Sequence, residues 1–321
     1  MISVSRLNRF AVLAILPLMA VAILAFSRTG NSRAKVQPPR EGVLVVASLR
    51  GENLVIRDLQ VGGPASMLAL SGPPHELLAA GGRLYATLGR GNAVLEVEPG
   101  APAVLRSLPL DGEPHGLALS GQDILVTLDR ARALVTVDRA TFAETGRLDV
   151  GDTPHMVAVQ AGQAYVVLSR EDRLAVAGST ASVPTGSLPE SLAIAGGFVV
   201  TGDHDARQLS LFDAATLVPL GAVRLGGSPV RVVSVDATHV LVSLGDTSEV
   251  VVVDLEAKEV TRRLGVKPHP DGICFSPSGE YVAIVSNAED AVEVFEVRYW
   301  RLALTLQAGA GPGACAWLPN H

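Results

Sequence analysis

Three histidines occupy equivalent places in the chain, each directly after a proline. The pairs are Pro74-His75, Pro114-His115 and Pro154-His155, so they recur every 40 residues. Imidazole nitrogens are ligands for Zn, Cu and Fe. Three of them around an open coordination position can bind a metal alone or support metal-assisted hydrolysis. These histidines are therefore candidate metal ligands, and intrinsic affinity favours Cu or Zn.

A structural explanation of the same histidines stays open. A Pro-His step is a variant of a repeated Pro-x-Gly step, so three copies can reflect duplication of a repeat. Imidazole also hydrogen-bonds backbone groups well at the start of a strand. In addition, side chains on opposite sides of a wide ring would be too far apart for one ion to bridge them.

Other polar residues are predicted to share a face with the histidines. The positions that follow the remaining repeated prolines are Glu190, Val230, Asp271 and Gly313. A second loop of each repeat, predicted to lie on the same face, is polar throughout, and Asp203-His204-Asp205 is its most distinctive copy. A ligand is most readily placed on such a charged, concave face. The predicted ligand-binding residues are Glu190, Asp203, His204 and Asp271, with solvated turns as the alternative.

Composition and motifs exclude several classes of function. The net charge is −6 and the chain has no basic block, which argues against nucleic acid as the partner. The chain has no GxSxG, HExxH, CxxC or CxxCH motif and no phosphate-binding loop. A covalently attached haem is therefore excluded, and no catalytic residue is assigned.

A repeat of 35 to 42 residues positions these side chains. It is marked by Pro74, Pro114, Pro154, Pro189, Pro229, Pro270 and Pro312. Each unit has four short runs rich in Val, Ile, Leu and Thr, separated by turn residues, as expected for a four-stranded antiparallel meander. Such units bury their faces by stacking radially. The pattern predicts an all-β, seven-bladed β-propeller.

The first and fourth units depart from the regular pattern. Residues 43–49, 53–58 and 65–71 supply only three strands of the first blade, so its innermost strand is predicted at residues 311–319. A ring closed by strands from both ends of the chain has no free innermost edge. In the unit from Pro154 the outer strands, at residues 174–176 and 181–186, are shortened, which predicts a loose outer edge.

An acidic residue ends the third strand in six of the seven units. The column reads Asp58, Glu98, Asp138, Asp213, Asp254 and Glu296, with Gly178 in the shortened unit. A carboxylate at this place closes a hairpin by accepting backbone hydrogen bonds. The column is therefore predicted to form turns and to take no part in catalysis.

The repeat resembles the YVTN-type family of seven-bladed β-propellers. The matching segments are Ile124-Leu125-Val126-Thr127, Val251-Val252-Val253-Asp254 and the stretch Pro270-Asp271-Gly272-Ile273-Cys274-Phe275-Ser276-Pro277-Ser278-Gly279. The resemblance extends over residues 42–319. It implies a propeller fold and an extracytoplasmic location, and it implies no single activity because propellers host many functions.

The N-terminus is predicted to be a targeting segment. Arg6 and Arg9 precede an uncharged apolar run at residues 10–26. Residues 1–27 therefore form a cleaved signal peptide or an uncleaved anchor in the inner membrane, and both alternatives stay open. Residues 28–41 are expected to form a flexible linker, and residues 42–321 form the propeller. Either alternative places the propeller in the periplasm or outside the cell.

The two cysteines, Cys274 and Cys315, are predicted on innermost strands of neighbouring blades. Counted from their prolines they differ by one position, so strand alternation directs them to opposite sheet faces. The pair then either meets across the blade interface or points fully apart. The sequence leaves this choice open.

Three functions are compatible with these features. The leading hypothesis is an exported, non-catalytic, monomeric propeller that binds a protein or small-molecule ligand at its central face. The alternative is a metal-binding protein or metal-dependent enzyme that uses His75, His115 and His155. A propeller lactonase-like hydrolase is disfavoured because no matching acid-rich metal set is present.

Overall fold

The structure is a computed structural model that describes residues 36–320. The predicted targeting segment and most of the predicted linker, residues 1–35, lie outside the described residues. Residues 36–320 form β-strands joined by turns, as predicted for an all-β protein. Within this range no helix is long and apolar enough to cross a membrane.

The described chain contains 28 strands in seven consecutive groups. The first group is β1 (Val43–Ser48), β2 (Asn53–Asp58) and β3 (Ser66–Ala69). The next three groups are β4 (Pro74–Ala80), β5 (Arg83–Leu88), β6 (Ala93–Glu98) and β7 (Ala103–Pro109); β8 (Pro114–Ser120), β9 (Asp123–Leu128), β10 (Ala133–Asp138) and β11 (Ala143–Asp149); and β12 (Pro154–Gln160), β13 (Gln163–Leu168), β14 (Arg173–Val176) and β15 (Ser182–Pro184). The last three are β16 (Pro189–Ala195), β17 (Phe198–Asp203), β18 (Gln208–Asp213) and β19 (Pro219–Arg224); β20 (Pro229–Ser234), β21 (His239–Leu244), β22 (Glu249–Asp254) and β23 (Glu259–Gly265); and β24 (Pro270–Phe275), β25 (Tyr281–Ser286), β26 (Ala291–Glu296) and β27 (Arg301–Gln307), followed by the final strand β28 (Pro312–Leu318).

The strands form seven four-stranded antiparallel sheets, which are the blades of a propeller. Blade 1 has the order β28-β1-β2-β3, and blades 2 to 7 follow in chain order, each starting with its innermost strand. The innermost strands β4, β8, β12, β16, β20, β24 and β28 neighbour one another in a closed circle. The predicted fold and the predicted closure of blade 1 by both ends of the repeat region are confirmed.

Hydrophobic residues fill the spaces between adjacent blades. The described residues contain seven buried clusters, and each combines side chains from two neighbouring blades. Leu209 and Leu211 of blade 5, for example, pack with Val240 and Val242 of blade 6. The core is therefore divided among the blade interfaces, so each sheet covers the face that its neighbour exposes.

The acidic column forms turns, as predicted. Asp138 Oδ1 accepts hydrogen bonds from the backbone nitrogen and hydroxyl of Thr141, both at 2.6 Å. Asp213 bonds Thr216 in the same way, at 2.8 and 2.7 Å. These bonds lower the pKa of both exposed carboxyls. Asp58 and Asp254 accept backbone bonds in their turns as well, so the aspartates of the column stabilise the turns after the third strands.

Cys274 and Cys315 form a disulfide, which decides between the two alternatives left open by the sequence. The bond joins β24 of blade 7 to β28 of blade 1, and the Cα atoms are 5.8 Å apart. It therefore covalently fastens the closing strand to the last blade.

Blade 4 is shorter at its outer edge, as predicted. Strand β15 has three residues and β14 has four, whereas the third and outermost strands of blades 2 and 3 have six or seven. A depression of about 200 Å³ lies beside this edge, lined by residues that include Asp149, Glu171 and Ser179. It lies on the periphery of the blade, away from the innermost strands.

Candidate metal centre

The innermost strands begin with an irregularity that determines which side chains reach the centre. In β4 the pairing register shifts between Pro74 and Leu77, and in β20 it shifts between Pro229 and Arg231. Such a shift breaks the alternation of side chains and redirects the residues within it. Consequently His75 and Glu76, although consecutive in β4, both lie at the centre of the ring, and Arg231 of β20 meets them there.

Three buried hydroxyl groups hold these strand starts in place. Thr87 Oγ1 accepts a hydrogen bond from Glu76 N at 3.0 Å and donates to the carbonyl of His115 at 2.9 Å. Thr127 Oγ1 does the same between the amide of Gly116 and the carbonyl of His155, at 2.7 and 2.6 Å. Each hydroxyl lies on the second strand of one blade and fixes the backbone of the next blade. The positions of His115 and His155 are thus determined by their neighbours.

A third hydroxyl does the same on the other side of the ring. Ser243 Oγ accepts from the amide of Arg231 at 3.0 Å and donates to the carbonyl of Asp271 at 2.8 Å. Thr87, Thr127 and Ser243 are all fully buried. A buried Thr or Ser near the end of the second strand is thus a sequence signal for a centrally placed residue in the following blade.

The three predicted histidines lie side by side. The ring centroids of His75 and His115 are 3.9 Å apart, and those of His115 and His155 are 3.8 Å apart. The two pairs of rings are tilted by 49° and 39°. The histidines come from adjacent blades 2, 3 and 4, so the width of the ring does not separate them. The structure brings all three together.

The imidazole nitrogens differ in their hydrogen bonds. His155 Nδ1 lies 2.8 Å from the carbonyl of Glu190, which fixes its ring. His75 Nδ1 and His115 Nδ1 are buried and make no hydrogen bond within residues 36–320, although His75 Nδ1 lies 3.8 Å from Glu76 Oε1. Buried polar atoms normally have a partner, so two adjacent exceptions call for an explanation.

Burial keeps two of the histidines neutral. It lowers the pKa of His115 well below its usual value, and the nearby His155 and His75 lower it further. Burial also lowers the pKa of His155 to about 4. Neutral imidazole is the form that ligates metals, so these rings need not lose a proton at neutral pH to bind an ion.

A buried ion pair crosses the centre next to the histidines. Arg231 of blade 6 donates from Nη2 to Glu76 Oε1 at 2.6 Å and from Nη1 to Oε2 at 3.0 Å. Blades 2 and 6 are three steps apart, the largest separation in a ring of seven, so the guanidinium spans the ring. Its Nη1 also lies 3.8 Å from Met156 Sδ in blade 4. The pair therefore fills the central opening at this level.

Glu76 carries a negative charge in this position. Burial alone would raise the pKa of Glu76, but Arg231 and His75 together outweigh this through charge and hydrogen bonding, and the pKa is about 2. Burial would likewise lower the pKa of Arg231, whereas Glu76 and Asp271 raise it above its usual value. Both groups are thus charged over the whole physiological pH range.

The four predicted ligand-binding residues are placed differently from one another. Asp271 Oδ1 lies 3.7 Å from Arg231 Nη2, so this residue belongs to the centre. Glu190 lies beside His155, and burial raises the pKa of both Glu190 and Asp271. His204 is partly exposed and its Nδ1 is 2.8 Å from Asp205.

Asp203 is fully buried inside blade 5. Its carboxylate accepts hydrogen bonds from Thr201 Oγ1, Ser210 Oγ and the amide of Gly186, at 2.6, 2.5 and 2.9 Å. All of these partners belong to the protein itself. The structure therefore gives Asp203 a role within its blade, whereas its neighbour His204 faces the solvent.

This arrangement contains three groups that can act together as metal ligands. One nitrogen each of His75 and His115 and one carboxylate oxygen of Glu76 lie within 4.8 Å of one another. A tetrahedral Zn²⁺ with bonds of about 2.0–2.1 Å holds its ligand atoms about 3.4 Å apart. The three groups therefore fit a metal after side-chain movements of about 1 Å. His155 lies beside His115 and flanks the set.

Glu76 and Arg231 were not identified from the sequence. Both occupy the second position after a marking proline, where regular alternation would turn them away from the residues at the first position. The register shift cancels this alternation, and it leaves no clear mark in the amino-acid pattern.

Comparison with known proteins supports the fold. No protein-family model matches the chain, and no curated protein matches it significantly. A functionally unknown protein from Desulfotomaculum acetoxidans has a TM-score of 0.75 at 11% identity, covering 87% of this chain and 100% of that one. Apo AztD from Citrobacter koseri has a TM-score of 0.66 at 12% identity, covering 87% and 98%. Hydrazine synthase from Kuenenia stuttgartiensis has a TM-score of 0.67 at 18% identity, covering 75% and 88%. At these identities the likeness shows a shared β-propeller fold and no shared activity.

Proposed function

We propose that this protein is a non-catalytic propeller that binds a transition-metal ion, Zn or Cu, at the centre of one face. His75, Glu76 and His115 are the proposed ligands, and His155 flanks them. The observation that carries the proposal is the pair of buried Nδ1 atoms without a hydrogen bond, on touching rings beside an ionised carboxylate. One nitrogen of each ring and one oxygen of Glu76 lie within 4.8 Å of one another, so a single ion can contact all three groups.

The charge of the surroundings supports a cation as the ligand. Glu76, Glu190 and Asp271 lie near one another at the centre, and Arg231 pairs with Glu76 and contacts Asp271. His115 and His155, whose pKa values burial lowers, contribute lone pairs without adding charge. Burial is the main cause of the raised pKa of Glu190 and Asp271, and neighbouring carboxylates raise it further: Asp205 and Asp271 act on Glu190, and Glu76 acts on Asp271. A bound cation would relieve the repulsion between these carboxylates.

The proposal is tested by measuring metal binding to the protein purified without a histidine tag. Calorimetric titration with Zn²⁺ or Cu²⁺ should show one bound ion per chain. His75→Gln and His115→Gln should each weaken binding at least 100-fold, because each removes one nitrogen ligand. His269→Asn is the matched control, since His269 is exposed on the same face at φ 52° and asparagine tolerates this conformation.

The titration discriminates between metal binding and the alternative functions. Failure of the wild-type protein to bind a stoichiometric ion would contradict the proposal and leave binding of a protein or small molecule at this face. Equal binding by wild type and His115→Gln would also contradict it, because the ion would then lie elsewhere.

We also propose that the propeller acts outside the cytoplasm and that it is related to the YVTN-type repeat proteins. The disulfide supports an oxidising compartment, where such bonds persist. The repeat motifs support the relationship, and the charged and apolar pattern of residues 1–27 supports export. Cell fractionation combined with thiol alkylation tests the location. If the protein is exported, it should be found outside the cytoplasm, and neither cysteine should react with the alkylating reagent because the two are disulfide-bonded.

A further inference from the structure

Arg231 stands between two carboxylates that face the centre of the ring. Its guanidinium is bonded to both oxygens of Glu76, and its Nη2 lies 3.7 Å from Asp271 Oδ1. The side chains of Arg231 and Glu76 are only 14% and 7% exposed, and that of Asp271 is 27% exposed. Solvent therefore screens these charges weakly.

Glu76 consequently has two competing cations. In this structure its oxygens are occupied by Arg231, yet one of them belongs to the ligand set formed with His75 and His115. An ion bound there would place a second positive charge beside the guanidinium. At such short range and with little solvent, the repulsion between the two is strong.

The guanidinium of Arg231 has a second possible partner, the carboxylate of Asp271. A movement of about 1 Å would bring Arg231 Nη2 within hydrogen-bonding distance of Asp271 Oδ1. The backbone need not move, because Ser243 holds both the amide of Arg231 and the carbonyl of Asp271. Arg231 can therefore release Glu76 without leaving its own charge buried and unpaired.

We propose that Arg231 is a built-in competitor of the metal: it occupies Glu76 when the site is empty and moves to Asp271 when an ion binds. This inference rests on the proposed metal-binding function. Its consequence is a site with reduced affinity and fast exchange, because an internal cation is always available to replace the ion. The metal is then exchangeable cargo and not a permanent structural ion.

The test compares variants that shift this competition in opposite directions. Arg231→Met removes the competitor, and we expect Zn²⁺ or Cu²⁺ to bind at least tenfold tighter and to leave more slowly when a chelator is added. Asp271→Asn removes the alternative partner, and we expect at least tenfold weaker binding. Arg207→Met is the control, because it breaks the exposed Arg207–Asp246 pair and should leave the affinity unchanged.

The outcomes separate this inference from the proposed function. Absence of metal binding in the wild-type protein overturns both. Stoichiometric binding by wild type with equal or weaker binding by Arg231→Met overturns only the competition. If Arg231→Met does not fold, a crystal structure of the metal-loaded wild type shows whether Arg231 has left Glu76 for Asp271. Loss of a Glu76 contact with approach to Asp271 supports the inference, and retention of the 2.6 and 3.0 Å contacts refutes it.

Discussion

Replacing Arg231 by methionine should destabilise the protein more than removing an ordinary salt bridge does. The guanidinium is 14% exposed and neutralises Glu76, which is 7% exposed, with a further contact to Asp271. Removing one partner of a buried ion pair leaves an uncompensated charge and typically costs about 3–5 kcal/mol. We expect a loss of this size in the free energy of unfolding.

Two related variants test the reasoning. Glu76→Gln should cost less, about 1–3 kcal/mol, because Arg231 retains Asp271 as a partner. The double variant Glu76→Met/Arg231→Met should be more stable than the sum of the corresponding single changes predicts, by at least about 2 kcal/mol, because no unpaired charge remains. Arg207→Met, at an exposed pair, should cost less than about 1 kcal/mol.

Urea denaturation provides the measurement, since urea adds no salt that would screen the charges. Circular dichroism and tryptophan fluorescence should give coincident transitions before a free energy is extracted. A cost for Arg231→Met that is no larger than that of Arg207→Met would refute the reasoning. A coupling energy near zero in the double-mutant cycle would refute it as well.

Three further predictions concern other parts of the ring. Cys315→Ser should lower the free energy of unfolding by about 4 kcal/mol, because the disulfide closes a loop of 41 residues. A reductant should lower the stability of the wild type and have no further effect on the variant. The free energy of unfolding should fall by up to about 3 kcal/mol as the pH drops from 6.5 to 4. The reason is that His155 has a pKa of about 4 in the folded protein, so the unfolded chain binds the proton first. If His155→Gln leaves the dependence of unfolding free energy on pH unchanged, this reasoning is contradicted. Gly116→Ala should lower the free energy of unfolding by about 1–3 kcal/mol, since its Cβ would lie 2.6 Å from the carbonyl oxygen of His155. Gly265→Ala is the control, because its Cβ meets nothing within 4 Å and the change should be neutral. Equal effects of the two substitutions would contradict the packing argument.

The architecture was predictable because it is encoded by repetition. The spacing of Pro74, Pro114 and the later prolines marks the blades, and the three-stranded first unit indicates how the ring closes. Each blade is a local unit, so short-range turn chemistry at residues such as Asp138 is enough to define it.

The candidate site was predictable only in part. The equivalence of His75, His115 and His155 placed them on one face, but whether they meet was left open and is answered by the ring contacts in the structure. The roles of Glu76 and Arg231 depend on a register shift and on contact across the ring, between residues 155 positions apart. Neither is a local property, so the amino-acid pattern does not display them.

The pairing of β28 with β1 sets an order of events during synthesis. The innermost strand of blade 1 is the last of the 28 strands to be made, so β1 keeps a free inner edge until residues 312–318 exist. Free strand edges pair readily with other chains. The native disulfide joins this same late strand to β24, so it cannot form before Cys315 has been synthesised. Synthesis of β28 therefore supplies both the strand that covers the vulnerable edge and the cysteine that secures the ring.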